Sequence, residues 1–181
     1  MRMKRLWGVA RKYWRWCARV LLLCALLRLP APPSILVAFG PPQSVQTRHP
    51  IACVHTRLTD EFAPWKILRT MELVREMGAP TIVEYFPWAY VEGREGRYEW
   101  GHVDQILDAA ANQGITVIAR LGMVPEWARP EPEVQQTIDT YLDPEHYANF
   151  GEFVFQFARH TTGRVKHLII WNEPNISLEW G

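Results

Sequence analysis

The chain has 181 residues, a length that allows one domain of ordinary size. Residues 1–59 contain ten Lys and Arg and no acids, whereas residues 60–181 contain ten Lys and Arg against nineteen acids, a formal charge of −9. An acidic domain would repel a phosphate backbone, so this charge pattern argues against nucleic-acid binding.

The first part of the chain has the order of a secretory signal. Residues 1–19 are basic and rich in Trp, residues 20–27 (VLLLCALL) are apolar, and a proline-rich stretch follows. Arg28 keeps the apolar run shorter than the roughly 20 residues of a spanning helix, so a membrane-surface anchor through residues 1–40 is the alternative. We predict a leader and linker over residues 1–45, and a secreted or membrane-anchored, extracytoplasmic protein.

From about residue 50, strand and helix patterns alternate along the chain. Short, mostly apolar runs predict four strands, over residues 51–55, 81–86, 115–121 and 165–171. Apolar residues at helical spacing predict three helices between them, over residues 64–77, 102–113 and 144–163. Strands that alternate with helices in this way indicate a parallel sheet with right-handed crossovers.

The loops favour a barrel over a doubly wound sheet. Those after the second and third strands are long, as at the C-terminal edge of an α/β barrel. The turn after the first strand, HTRLTDEFAP, lacks the glycines of a phosphate-binding turn. A (β/α)₈ barrel typically needs roughly 250 residues, whereas residues 50–181 supply 132 and four strands. The predicted fold over residues 46–181 is therefore a TIM barrel truncated to about its first four βα units.

The fourth strand ends in IIWNEPN, residues 169–175, which delivers a carboxyl group to the predicted mouth of the barrel. Pro174 stops the strand. Burial beside Trp171 would favour the protonated form of Glu173, which can then protonate a leaving oxygen. Asn172 offers a donor and an acceptor to a sugar hydroxyl. The alternative for Glu173 is a structural pair with a basic neighbour.

Other candidate substrate contacts are aromatic and polar residues at or beyond strand ends, because flat rings stack on sugars. They are Trp88, Trp127, Trp171, Trp180, His55 and Arg120. Loop packing is the alternative for the tryptophans, and a structural role for His55. Arg120 either supplies positive charge to the site or forms a structural ion pair with Glu84. Cys53 predicts a buried thiol, and the histidines lack paired ligand spacing, so we predict no metal and no cofactor.

The segment IIWNEPN, with the βα repeat before it, resembles the retaining glycoside hydrolases of clan A, which are (β/α)₈ enzymes. Within the clan it is most similar to family 39, which contains β-xylosidases and α-L-iduronidases, with cellulase-type relatives of family 5 close behind. Residues 78–100 and 114–130 are similar to the clan's strand-2 and strand-3 regions.

This resemblance implies that Glu173 is the general acid/base and that Asn172 binds the 2-hydroxyl of the sugar. A second carboxylate, about 5–5.5 Å away, would form a covalent glycosyl intermediate. In this clan it is a Glu at the end of strand 7, beyond the four strands predicted here, so the chain alone is expected to be inactive.

The predicted function is hydrolysis of O-glycosidic bonds in oligo- or polysaccharides by a retaining double displacement. Two alternatives stay open. One is a non-catalytic carbohydrate-binding protein on a barrel scaffold, which would keep the aromatic residues without turnover. The other is a different barrel enzyme, in which Glu173 would be a proton-transfer base for a small metabolite.

Overall fold

The computed structural model describes Trp14 and residues 16–19, 39–129 and 140–176. The chain divides into two compact units, Met1–Val37 and Ala38–Gly181. Most of the first unit lies outside the described residues, so the leader and the domain boundary at residue 45 stay predictions. In the described part of the chain, no helix combines the length and the apolar character that crossing a bilayer requires.

The second unit alternates strands and helices in the predicted order. Its strands are β1 (Cys53–His55), β2 (Thr81–Pro87), β3 (Thr116–Gly122) and β4 (Val165–Ile170). Its α-helices are α1 (Pro64–Glu76), α2 (Trp88–Val91), α3 (Gly101–Asn112) and α4 (Tyr147–His160). Short 3₁₀ turns lie at Leu58–Asp60, Glu126–Ala128 and Pro144–His146. The one-turn helix α2 was not predicted from the sequence.

Local sequence explains where the long helices begin. Pro64 occupies the first turn of α1, where a missing backbone N–H costs nothing. The Asp143 side chain accepts a hydrogen bond from the backbone N–H of Glu145 and caps the 3₁₀ turn that leads into α4. The helix predicted from residue 144 therefore begins with a tighter turn before regular α-helix starts at Tyr147.

The four strands form one parallel sheet in the order β1-β2-β3-β4. The register pairs Val54 with Ile82, and Arg120 with both Tyr85 and Ile169. This arrangement confirms the prediction of a parallel βα repeat that corresponds to the first half of a barrel.

One face of the sheet is buried against the helices. The strand residues of that core are Ile82, Phe86, Val117, Ala119 and Leu121, and the helix residues include Ile67, Met71, Val103, Ile106, Phe153 and Phe157. Since side chains alternate along a strand, Tyr85, Ile118 and Arg120 lie on the opposite face.

The outer strands leave apolar and thiol side chains exposed. Ile169 and Ile170 on β4 are exposed, and so is Cys53 on β1. The prediction of a buried Cys53 was therefore wrong, because β1 has a paired strand on one side only. Open edges of this kind disappear when a barrel closes.

Residues 40–47 cross the edge of the sheet at which the strands begin. The Gln43 backbone N–H donates to the Asn112 carbonyl oxygen at 2.7 Å, and the Asn112 side chain donates to the Gly40 carbonyl oxygen at 2.9 Å. Gly114 has a φ of 68°, and a Cβ there would lie 2.7 Å from the Gln43 carbonyl oxygen. Only glycine fits this turn without displacing the crossing segment.

Candidate active site

A polar cluster lies where β2, β3 and β4 end. Arg120 donates from Nη1 to Asn172 Oδ1 at 2.7 Å, and its guanidinium lies 4.7 Å from the centre of the Tyr85 ring. Arg120 Nε is buried and has no hydrogen-bond partner within the described ranges. Because a guanidinium only donates, it must engage the amide oxygen of Asn172, which leaves the amide NH₂ as the group offered elsewhere.

The backbone around this cluster is strained. In the described part of the chain, the non-glycine residues with positive φ are Met123 (62°), Trp171 (67°) and Glu173 (37°). All three follow the ends of β3 and β4. Each such residue costs about 1–3 kcal/mol and persists only when surrounding contacts hold it, and such residues concentrate at functional sites.

Backbone contacts hold these residues in place. Trp171 N–H donates to the Leu121 carbonyl oxygen at 2.7 Å, one residue beyond the end of β4. The Met123 carbonyl oxygen accepts from Ala89 N–H at 3.1 Å, and the Glu173 carbonyl oxygen accepts from Ile176 N–H at 3.1 Å. The strain therefore lies in a hydrogen-bonded framework.

Glu173 is exposed and faces solvent. Trp171 itself is buried, 4% exposed, and its ring meets Phe150 edge-on at 5.4 Å. The burial of Glu173 beside Trp171 that the sequence suggested is therefore absent. Within residues 39–129 and 140–176, the Glu173 carboxylate forms no ion pair either, so the structural alternative for this residue has no partner there.

Glu84 is a structural carboxylate on the other face of the sheet. It pairs in register with Ala119, whereas Arg120 pairs with Tyr85. It accepts hydrogen bonds from the Thr56 hydroxyl and from the backbone N–H groups of Leu58 and Thr59. Burial raises the pKa of Glu84 above its ordinary value, and these hydrogen bonds act against that rise.

The ion pair with Glu84, which was one of the two alternatives for Arg120, is not formed. Arg120 is paired with Tyr85, the residue after Glu84 on β2. Because adjacent positions along a strand project to opposite faces, the sheet separates the Glu84 and Arg120 side chains.

The tryptophans after the strands mainly pack the loops. Trp88 is completely buried, donates from Nε1 to Glu92 Oε2 at 2.6 Å, and stacks on Phe153. Its expected stacking on a sugar is not supported, because no face of the ring is open. Trp127 is half-buried, meets Trp88 edge-on at 5.2 Å and donates to the Glu92 carbonyl oxygen at 2.9 Å. Trp180 lies outside the described residues.

His55 is exposed at the end of the outer strand β1 and lines a groove of about 530 Å³ between β1 and α1. Its register partner is Val83, which places it on the same face of the sheet as Tyr85 and Arg120. The structure thus brings Arg120, Asn172 and Glu173 to one edge, and leaves His55 farther along that face.

Tyr85 is the residue of this cluster that the sequence did not single out. Its position is readable only once β2 and β3 are placed in register, because Tyr85 and Arg120 are 35 residues apart in the sequence. Among the described residues, no group of three or more His, Cys, Asp and Glu could hold a metal ion.

Comparisons with known proteins agree with the fold described above. A family model described as beta-galactosidase, of glycoside hydrolase family 42, matches residues 61–144. No match was found among curated proteins. The solved structures include a family 39 glycoside hydrolase from the gut symbiont Bacteroides cellulosilyticus WH2, with 23% identity and a TM-score of 0.54, covering 67% of this chain and 24% of that one.

Two further solved structures are similar to this chain in fold. One is the exo-beta-1,4-mannosidase Op5Man5 from Opitutaceae bacterium strain TAV5, with 12% identity and a TM-score of 0.55, covering 78% of this chain and 29% of that one. The other is a beta-galactosidase from the psychrophilic Marinomonas ef1, with 15% identity and a TM-score of 0.51, covering 65% of this chain and 21% of that one.

The resemblance to barrel glycoside hydrolases that IIWNEPN predicted is confirmed by these matches. At such identities the structural likeness establishes the fold. The chain spans between about a fifth and a third of the length of the solved structures it matches. The roles of individual residues stay predictions.

Proposed function

We propose that the chain is part of a glycoside hydrolase that cleaves O-glycosidic bonds in oligo- or polysaccharides with retention of configuration. One observation carries the proposal. At the end of β4, Glu173 is exposed on left-handed backbone beside Asn172, whose amide oxygen is held by Arg120. A rigid strand end that presents a free carboxyl and an oriented amide suits a reaction on a sugar.

Arg120 acts in this proposal as a positioning residue. By engaging Asn172 Oδ1 it directs the amide NH₂ of Asn172 toward an incoming acceptor, such as the oxygen of a 2-hydroxyl. Donors that are fixed before substrate arrives need no reorganisation in the transition state. The stacking of Arg120 on Tyr85 restricts the guanidinium further.

Glu173 supplies the proton in the first step and removes one in the second. As the glycosidic bond breaks, its carboxyl protonates the leaving oxygen while a second carboxylate attacks the anomeric carbon. The resulting carboxylate of Glu173 then takes a proton from water, which displaces the second carboxylate and releases the sugar. Glu84 is excluded as that second carboxylate because it lies on the other face and is fully hydrogen-bonded.

Two of the tryptophans proposed as sugar contacts give no support to a purely carbohydrate-binding role. That alternative needs aromatic rings that are open to a sugar, and the rings of Trp88 and Trp171 are both buried. For the location of the protein we propose secretion or membrane anchoring, which rests on the order of basic, apolar and proline-rich residues in the leader alone.

The test is a comparison of leaving groups in the full-length protein. Glu173→Ala should lower kcat/KM for a natural glycoside by about 10²–10⁴-fold. An activated aryl glycoside, whose leaving group needs little protonation, should lose far less. Glu126→Ala is the matched control, because Glu126 is an exposed carboxylate in the 3₁₀ turn after β3. Equal losses on both substrates would remove Glu173 from the acid role.

A further inference from the structure

A small hairpin at the same edge of the sheet carries two arginines side by side. Arg94 and Arg97 form an antiparallel bridge, with the Arg97 N–H donating to the Arg94 carbonyl oxygen at 3.0 Å. Gly96 makes the turn with a φ of 73°. Residues that face each other in an antiparallel pair project to the same side, with Cβ atoms about 4.5–5.5 Å apart. The two guanidinium groups therefore start from adjacent positions.

Buried hydrogen bonds hold this hairpin to the core. Glu92 is only 4% exposed; its Oε1 accepts from Gly96 N–H at 2.7 Å, and its Oε2 accepts from Trp88 Nε1 at 2.6 Å. The Glu99 N–H donates to the Val91 carbonyl oxygen at 2.8 Å. The turn is thus anchored on both sides, so the backbone that carries the two arginines needs little ordering when a ligand binds.

The two arginines of the hairpin have no ion-pair partner within the described part of the chain. Arg94 and Arg97 are both exposed, and neither side chain forms an ion pair there. Two of the nearby acids have other partners: Glu92 accepts the two bonds given above, and Glu95 accepts from the Asn149 side chain at 3.3 Å. A third, Glu99, lines the same cavity without an ion pair to either arginine in the described part of the chain. Like charges placed directly opposite each other are destabilising, so a bound anion would relieve this arrangement.

A surface cavity of about 440 Å³ lies at this position. Its lining residues are Tyr90, Gly93, Arg94, Arg97 and Glu99. Tyr90 is 51% exposed, so part of its ring is open to a ligand. The cavity combines two guanidinium groups, which match the oxygens of a carboxylate or sulfate, with an aromatic ring that suits a sugar face.

We propose that this hairpin binds the carboxylate or sulfate group of an acidic glycan, with Tyr90 against the sugar ring. The assignment of the ligand as a glycan rests on the proposed function. The hairpin follows β2, and the C-terminal ends of parallel strands share one edge, so the site lies at the same edge of the sheet as Glu173. It would select substrates by charge at a distance from the bond that is cleaved.

Equilibrium binding to the full-length protein tests this site by isothermal titration calorimetry. The probes are a uronate-containing and a sulfated oligosaccharide, each compared with its carboxyl-reduced or desulfated counterpart. We expect at least one acidic probe to bind about tenfold more tightly than its neutral counterpart, and the preference to shrink at high salt. The double variant Arg94→Gln/Arg97→Gln should lose the preference.

Two further variants control for charge and stacking. Arg48→Gln removes an exposed arginine from the opposite edge of the sheet and should leave the preference unchanged. Tyr90→Ala should weaken acidic and neutral probes by the same factor, because stacking does not depend on the anion. Equal affinity for every acidic and neutral pair, or a preference that survives the double arginine variant, would overturn the proposal.

Inorganic sulfate separates a glycan-borne anion from a free one. We expect sulfate to compete with the acidic oligosaccharide; sulfate binding at the arginines without such competition would overturn the assignment to a glycan. Glu173→Ala should retain the charge preference, since no hydrogen bond joins Glu173 to the hairpin in the described part of the chain. If the unmodified protein shows no charge preference but the leaving-group test succeeds, only this inference is removed. If the charge preference is found but the leaving-group test fails, only the proposed hydrolysis is removed.

Discussion

The two edges of the sheet turn the chain in different ways. Where helices lead into strands, the residues with positive φ are glycines: Gly78 at 78°, Gly114 at 68° and Gly163 at 80°. Where β3 and β4 lead into loops, they are Met123, Trp171 and Glu173. Glycine adopts this conformation freely, whereas each of the other three costs about 1–3 kcal/mol. The first edge is built for stability, and the second stores strain where Arg120, Asn172 and Glu173 meet.

Hydrogen bonding follows the same division. At the edge where the strands begin, the Gln43 backbone N–H donates to the Asn112 carbonyl oxygen. Arg75 Nε donates to Gln113 Oε1 at 2.7 Å. At the other edge, Arg120 Nε is buried without a partner in the described ranges, and the carboxylate of Glu173 is open to solvent. A buried donor without a partner, such as Arg120 Nε, is costly for folding. The exposed Glu173 carboxylate is hydrated and is available to a ligand.

Glu84 gives the largest expected effect and tests whether this carboxyl, on the face of the sheet away from Arg120, has a purely structural role. Glu84→Ala would leave the backbone N–H groups of Leu58 and Thr59 buried without acceptors. We expect the free energy of unfolding to fall by about 2–4 kcal/mol, measured by urea denaturation at pH 7. Glu126→Ala, which removes an exposed carboxylate, should change it by less than about 0.5 kcal/mol. Similar values for the two variants would contradict the structural role of Glu84.

The pH dependence of the same variant provides its internal check. Burial raises the pKa of Glu84 above the ordinary value of 4.5, so the folded state holds this proton at pH values where the unfolded state has released it. The contribution of Glu84 to stability is therefore greatest below pH 4.5 and declines as the pH rises through the raised pKa. Glu84→Ala should remove this part of the decline, and an unchanged pH profile would argue against it.

The fold was largely predictable because it depends on local patterns. Apolar runs located all four strands, and Pro64 and Gly114 marked the beginning of α1 and the end of α3. The exposure of Cys53 was not predictable in this way. A run of apolar letters indicates a strand but not whether that strand has neighbours on both sides.

The site was predictable in part, and its failures have one cause. Glu173 and Asn172 are adjacent in a specific motif, so their position at the end of β4 followed from the sequence. The burial of Trp88 depends on Phe153, which is 65 residues away in the sequence, and the separation of Glu84 from Arg120 depends on strand register. Such contacts between distant segments are decided by tertiary packing, and single-sequence patterns do not contain them.

Gly114 gives an intermediate effect on stability and tests whether the edge where helices lead into strands requires glycine at its turns. Gly114→Ala places a side chain on a residue whose φ is 68°, and its Cβ would lie 2.7 Å from the Gln43 carbonyl oxygen. We expect a loss of about 2 kcal/mol in the free energy of unfolding, measured by urea denaturation. Gly101→Ala is the matched control, because Gly101 begins α3 and a Cβ there meets nothing within 4 Å. It should be neutral or stabilising by up to about 1 kcal/mol. A neutral Gly114→Ala would show that this edge does not require glycine.

Glu173 gives the smallest effect on stability. It tests whether the strained backbone after β4 costs stability in order to hold the Glu173 carboxyl in place. Glu173→Gly and Glu173→Ala both remove the carboxyl, but only glycine relieves a φ of 37°. Since the side chain is exposed, little packing is lost in either variant. We expect Glu173→Gly to be about 1 kcal/mol more stable to urea than Glu173→Ala, while both lose activity on a natural glycoside to the same extent. Equal stabilities would mean that the conformation of Glu173 costs nothing, and the strained edge would then be no evidence for a site. A more stable glycine variant without activity would show that the fold gives up stability to hold this carboxyl at the end of β4.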